Sequence, residues 1–188
     1  MSKILVDTID TRSGTSNMTI GSSNTSQITL KSGATLTNFP ANTPAFHATL
    51  SSTQTITNNT FTKLQIDNEI YDTDGCYDNS TNYRFTPTTA GKYFVYGCSM
   101  TGGSSGELDF SGSALYKNGS QQTEHFTDFR NNRGGSSNFT FTSIIMDMNG
   151  SSDYAELYGR MKVNAGNVNI QGGTNGQTYF GAYKIIGA

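Results

Sequence analysis

The chain has 188 residues and a mass of 20.3 kDa, which is enough for one domain of ordinary size with a smaller appendage. Only 14% of its residues are charged and its formal net charge is -2, so it lacks the dense basic surface that binds nucleic acid. No apolar run approaches the length that crosses a bilayer, so we expect no membrane insertion. The apolar stretch at the N-terminus is too short for a signal peptide and is soon followed by an acidic residue.

Residues 1–43 carry small apolar clusters, each followed within a few residues by Gly, Ser or Asn. One copy of such a segment buries too little apolar surface to offset the entropy of ordering it. We interpret 1–43 as a stem or attachment segment that is ordered by packing against identical chains; a disordered tail is the alternative. Pro40 and Pro44 mark the joint. Residues 44–188 are predicted to form one compact β domain.

Short runs of β-branched and aromatic residues alternate with turn-forming residues throughout this domain, and no helical periodicity is sustained. The pattern predicts strands over residues 61–66 and 138–146. Asn118-Gly119 and Asn149-Gly150 are the dipeptides best suited to tight hairpins. Many short strands joined by such turns predict an all-β sandwich or barrel.

A signature stands near the middle of the chain: Phe85-x-Pro87-x-x-x-Gly91-x-Tyr93. The residue types predict a strand that ends in the core, a turn, and the start of the next buried strand. This signature resembles that of the complement component 1q globular head, a relative of the tumour necrosis factor fold. The resemblance extends over about 44–188, and in the closing strand Phe180 is followed by Gly181, as in that family.

The resemblance implies a ten-stranded jelly-roll sandwich that assembles as a tight homotrimer. Strand alternation places Tyr93 and Val95 on one side of their strand and Phe94 and Tyr96 on the other. If the first pair fills the sandwich, the second pair needs cover from a neighbouring subunit. Phe94, Tyr96 and Phe180 are our candidates for the trimer interface; the alternative is that the chain's own loops cover them.

The N-terminal sequence carries a second resemblance. Chains that begin Met-Ser-Lys-Ile-x-Val-Asp-x-Ile and end in such a head resemble virion proteins of marine bacteriophages. This resemblance implies synthesis in the host cytoplasm and attachment to other virion proteins through the N-terminal segment. Polar loops at 75–83, 117–135 and 164–178 are then expected to bind a host-surface glycan or protein. The alternatives are a capsid decoration or head-fibre protein without a receptor role, and a bacterial lectin-like module.

Enzymatic chemistry has little support in the sequence. His47 and His125 are the two histidines, and no serine has the Gly-x-Ser-x-Gly context of hydrolases; Gly112-Ser113-Ala114 lacks it. A glycan-cleaving tip would need two facing carboxylates. We expect a protein that is not an enzyme.

No cofactor is expected. Asp72, Asp74 and Asp78 are weak candidates for a calcium site, because turn aspartates usually bond their own backbone. Cys76 and Cys98 are interpreted as free thiols in a chain without a secretory signal; a disulfide is the alternative.

Overall fold

The computed structural model describes Ser32 and residues 41–103, 108–131, 137–164 and 168–187. The described part of Pro40–Ala188, a compact unit of the chain, contains strands and no helix. No helix among these residues therefore has the length and apolar character that spanning a membrane requires. The predicted stem 1–43 lies almost wholly outside the described residues. The strands are β1 Ala45–Thr49, β2 Gln54–Ile56, β3 Thr62–Lys63, β4 Asn68–Asp72, β5 Tyr77–Asp78, β6 Arg84–Phe85, β7 Gly91–Gly103, β8 Leu108–Lys117, β9 Ser120–Asp128, β10 Ser137–Met148, β11 Ala155–Val163, β12 Val168–Ile170 and β13 Tyr179–Lys184.

These strands form two antiparallel sheets packed face to face. The first sheet runs β2-β12-β7-β13-β1-β4, with β10 paired to β7. The second runs β5-β6-β11-β8-β9, with β3 paired to β11. Neighbouring strands are mostly distant in sequence, as in a jelly roll. The predicted all-β sandwich is confirmed.

The signature stretch lies where the chain passes from one sheet to the other. β6 ends at Phe85, whose side chain is fully buried, and Pro87 is buried in the turn that follows. Gly91 opens β7 with a φ of 146°, a conformation that L side chains rarely adopt. Tyr93 follows in the core, and its hydroxyl donates to the Thr89 carbonyl oxygen at 2.7 Å.

An aromatic cluster occupies one end of the space between the sheets. The ring of Phe46 on β1 stacks on Tyr77 at 4.3 Å and on Phe85 at 4.7 Å between centroids, and Phe180 meets it edge-on at 5.0 Å. Phe46, Phe85 and Phe180 are fully buried. Because the four rings come from strands of both sheets, the cluster joins the two layers.

The other end of the interior is lined by hydroxyl groups. Ser99 Oγ on β7 lies 2.6 Å from Ser113 Oγ on β8, and Ser113 Oγ donates to the Thr140 carbonyl oxygen at 2.8 Å. The amide of Asn138 donates to Ser111 Oγ at 2.8 Å. These bonds satisfy polar groups that would otherwise be buried at a cost, and they connect β7, β8 and β10.

The two Asn-Gly dipeptides lie in different kinds of turn. Asn118 and Gly119 have φ values of 51° and 76° and join β8 to β9 in a tight hairpin, as predicted. Asn149 and Gly150 instead lie in a longer loop, because β10 and β11 belong to different sheets. There the Asn149 side chain accepts the backbone N–H groups of residues 151–153.

The strand predicted over 61–66 is limited in the structure to Thr62–Lys63. Beyond Lys63 the chain keeps one bond to β11, from the Leu64 N–H to the Leu157 carbonyl oxygen at 2.9 Å. It then leaves the sheet, and the side chains of Leu64 and Ile66 turn into the core. The apolar residues of 61–66 therefore correctly predict burial, but the predicted strand is longer than the observed one.

Candidate functional site

The outward side of the first sheet is covered by aromatic and apolar side chains. In the β7–β10 register Phe94 stands opposite Ile145, and in the β7–β13 register it stands opposite Tyr183. Residues directly opposite each other in an antiparallel pair project to the same side, so the surface can be followed from strand to strand. We define this aromatic face as Tyr71, Phe94, Tyr96, Phe139, Phe141, Ile145, Tyr179 and Tyr183.

Much of the aromatic face is open to solvent in the single chain. Ile145 is 57% exposed, Phe139 56% and Phe141 48%. A monomeric soluble protein rarely exposes so many large apolar side chains side by side, and such surfaces usually mark an interaction site. Phe94 and Tyr96 are half-buried and stack on each other at 5.8 Å between centroids.

Phe180 does not belong to this face. Its side chain is fully buried between the sheets against Phe46, so its placement does not fit the interface role that we predicted for it. The physical reason is the register of β13 with β7, which turns Phe180 inward with Ala182 and leaves Tyr179 and Tyr183 outward. These two tyrosines take its place on the aromatic face.

Gly181 also faces outward and lies beneath an aromatic ring. It stands opposite Tyr96 in the register, and a Cβ atom at this position would come within 2.4 Å of the Tyr96 ring. The absence of a side chain at residue 181 lets the Tyr96 ring lie against β13. Gly181 therefore has a local role in shaping the face.

His47 lies among three tyrosines at the edge of the aromatic face. Its ring centroid is 5.5 Å from that of Tyr179, 6.0 Å from Tyr96 and 6.4 Å from Tyr71, and its Nδ1 is hydrogen-bonded to the Tyr96 hydroxyl at 3.1 Å. Burial lowers the pKa of His47 below its ordinary value of 6.5. Burial, followed by the neighbouring Tyr71, raises the pKa of Tyr96 to about 12, so its hydroxyl stays protonated.

We expect His47 to make the protein less stable in mild acid. Because its pKa is lower in the folded state than in the unfolded chain, the unfolded chain takes up the proton first. The stabilising contribution is therefore complete above pH 6.5 and is lost as the pH falls through the lowered folded value. Urea midpoints measured above and below this window should differ less in His47→Gln than in the parent. An unchanged difference in His47→Gln would contradict the prediction.

The three candidate calcium ligands are engaged in their own turns. Asp72 accepts the N–H of Tyr77 at 2.7 Å and that of Asp74 at 3.2 Å, and the Asp74 carboxylate accepts the hydroxyl of Thr73 at 2.5 Å. Asp78 accepts the N–H groups of Thr81 at 2.9 Å and of the two neighbouring residues, and these bonds, that of Thr81 first, hold the pKa of Asp78 well below its usual range. Within the part of the chain that the structure describes, no group of His, Cys, Asp and Glu side chains is arranged to hold a metal ion.

The residues weighed for catalysis are not brought together. His125 Nδ1 contacts the Phe141 carbonyl oxygen at 3.1 Å, whereas the neighbouring Glu124 projects from the other side of β9. Ser113 is buried in the hydroxyl network between the sheets and cannot meet a substrate. Cys76 and Cys98 are buried free thiols, and burial raises the pKa of Cys98.

The predicted recognition loops contain more regular structure than expected. Residues 117–135 include the whole of β9, and residues 164–178 include β12. The segment 75–83 is a loop around the short β5, stabilised by Asp78. Polar composition indicated exposure at β9 but could not distinguish an exposed edge strand from a loop.

Comparison with solved structures identifies the fold. Eiger TNF from S. frugiperda superposes with a TM-score of 0.53 at 12% identity, over 77% of this chain and 93% of that chain. Murine APRIL gives a TM-score of 0.53 at 10% identity over 75% and 98%, and the globular domain of zebrafish complement 1qA protein gives 0.53 at 12% over 76% and 97%. The domain is a jelly roll of the tumour necrosis factor and complement 1q type. No protein-family model and no curated protein matches the chain by sequence.

Proposed function

We propose that this chain is a homotrimeric structural protein of a bacteriophage virion, and that its jelly-roll head assembles through the aromatic face. The observation that carries the assembly is the group of outward aromatic and apolar side chains on β7, β10 and β13. Three copies packed around an axis would remove this group from water, with a gain of about 25 cal/mol for each Å² of apolar surface buried. The resemblance of the head to the complement component 1q globular head, which implies a homotrimer, supports an assembly of three copies.

The virion role rests on the N-terminal segment. Residues 1–43 begin with the Met-Ser-Lys-Ile-x-Val-Asp-x-Ile pattern and would attach the head to other virion proteins. In this arrangement the first sheet faces the axis, and the second sheet faces outward with the loops at its ends. The outward surface would bind a glycan or protein on the host, as the tip of a fibre.

Two measurements test this proposal. Light scattering on the purified full chain should give the mass of three chains of 20.3 kDa each, and a monomer would contradict the assembly. Antibodies against the head, applied to purified phage particles, should label the ends of fibres. Labelling spread over the capsid would favour a decoration protein instead, and absence of the protein from purified particles would overturn the virion role.

A further inference from the structure

A cleft lies on the outward side of the second sheet, opposite to the aromatic face. It encloses about 180 Å³, less than the roughly 300–1,000 Å³ of sites for drug-sized ligands, and so suits one small ring. Three neighbouring strands, β9, β8 and β11, supply most of its lining. The lining residues are Phe110, Glu124, Phe126, Asp128, Arg130 and Arg160.

A glycine leaves the middle of the cleft open. Gly112 on β8 stands opposite Phe126 on β9 and Arg160 on β11. A Cβ atom at residue 112 would come within 3.1 Å of Phe126 Cβ and within 3.5 Å of Glu124 Oε1. Between the larger Phe110 and Tyr116, this strand therefore leaves space that Phe126, Arg160 and Glu124 surround.

Arg160 is held in place before any ligand arrives. Its guanidinium lies 4.7 Å from the ring centroid of Phe110 and 5.2 Å from that of Phe61. Its Nη2 and Nε donate to Asn59 Oδ1 at 2.8 and 3.2 Å, and its Nη1 lies 3.8 Å from Glu124 Oε1. A fixed guanidinium beside a carboxylate presents donors and acceptors at low entropic cost to a ligand.

The charges of the cleft balance. Glu124 lies beside Arg160, and Asp128 is paired with Arg130. The hydrogen bond from Arg130 lowers the pKa of Asp128 to about 2, so this carboxylate stays ionised at neutral pH. A cleft with two cations and two anions has no net attraction for an ionic ligand. It offers hydrogen-bonding groups to a neutral one.

Phe126 supplies an apolar platform beside these polar groups. Its side chain is 61% exposed, although it lies within β9. An exposed ring flanked by a carboxylate and a guanidinium suits a ligand with an apolar face and a polar rim. A pyranose ring has this character, because its axial C–H groups form one face and its hydroxyls lie around the edge.

We propose that the cleft binds one neutral hexopyranose unit of a surface glycan. The C–H face of the sugar would lie on Phe126, and neighbouring hydroxyls would donate to Glu124 and accept from Arg160. This proposal rests on the recognition role proposed above and names its ligand class. The proposed chemistry is binding alone.

Saturation-transfer NMR on the full chain tests the cleft, with the methyl glycosides of galactose, glucose and mannose as probes. At least one neutral glycoside should receive saturation on its C–H face, with a dissociation constant on the order of 1 mM. Phe126→Ala should weaken binding about tenfold. Phe126→Leu keeps apolar bulk but loses the flat ring and should weaken binding similarly. Gln122→Ala, on the same strand outside the lining, should leave binding unchanged.

The proposal would be overturned if none of the three glycosides received saturation, or if Phe126→Ala bound them as well as the parent. Binding of N-acetylneuraminic acid in preference to all three would also overturn it, because the cleft would then select an anion. A trimer found on virions that binds no glycoside would remove the sugar site and leave the assembly intact. Glycoside binding by a protein absent from virions would keep the sugar site and remove the virion role.

Discussion

Replacing Phe46 by Ala is expected to lower the free energy of unfolding by about 3–5 kcal/mol. Phe46 is fully buried and its ring contacts Tyr77, Phe85 and Phe180, so its removal leaves a cavity lined by three rings from both sheets. Those neighbours are held by their own strands and cannot close the space. A loss of this size is a large fraction of the roughly 5–15 kcal/mol that stabilises a typical domain.

Urea unfolding at one protein concentration measures this effect, since the proposed assembly would make the midpoint depend on concentration. Phe126→Ala is the matched control, because it removes the same ring from an exposed position and should change stability by no more than about 0.5 kcal/mol. A loss below about 1 kcal/mol in Phe46→Ala would show that Phe46 is not at the centre of the core.

The architecture around the signature could be predicted from the sequence, because local chemistry determines it. Pro87 and Gly91 restrict the backbone in ways that few other residues do, and the alternation after Gly91 assigns Tyr93 and Phe94 to opposite sides of β7. The Asn118-Gly119 hairpin is equally local. In each case the information lies within a few residues of the feature.

Features that depend on register could not be predicted in the same way. The closing strand Tyr179–Lys184 has aromatic residues at both alternations, so period two alone cannot decide whether Phe180 or Tyr179 faces inward. Only the pairing with β7 and β1 decides it. Likewise, Asn149-Gly150 contains no information on the sheet to which the next strand belongs.

The cleft on the second sheet could not be predicted from the sequence for a related reason. Gly112, Phe126 and Arg160 come from three strands and are brought together by two registers. Each has an ordinary local meaning: a glycine in a strand, an aromatic residue in a polar segment, and an arginine in a strand. Phe126, an aromatic residue within a segment predicted as a polar loop, is the one signal in the sequence that could have singled out this region.

Replacing Ile145 by Asp is expected to convert the proposed trimer to a monomer. Ile145 is 57% exposed in the single chain and stands opposite Phe94 on the aromatic face, so the variant chain should fold while its assembled form is disrupted. In the proposed trimer the new carboxylate would be buried without a partner, at about 3–5 kcal/mol in each subunit. Light scattering should then report 20.3 kDa in place of three times that mass.

Two further variants separate assembly from folding. Phe94→Asp introduces the same charge at a half-buried position between Tyr96 and Tyr183, and should also give a monomer, with some loss of stability. Phe126→Asp places it on an equally exposed apolar residue of the other sheet and should leave the trimer intact. If the trimer persists in Ile145→Asp and Phe94→Asp but dissociates in Phe126→Asp, the interface lies on the second sheet. The surface available for recognition would then lie on the first sheet.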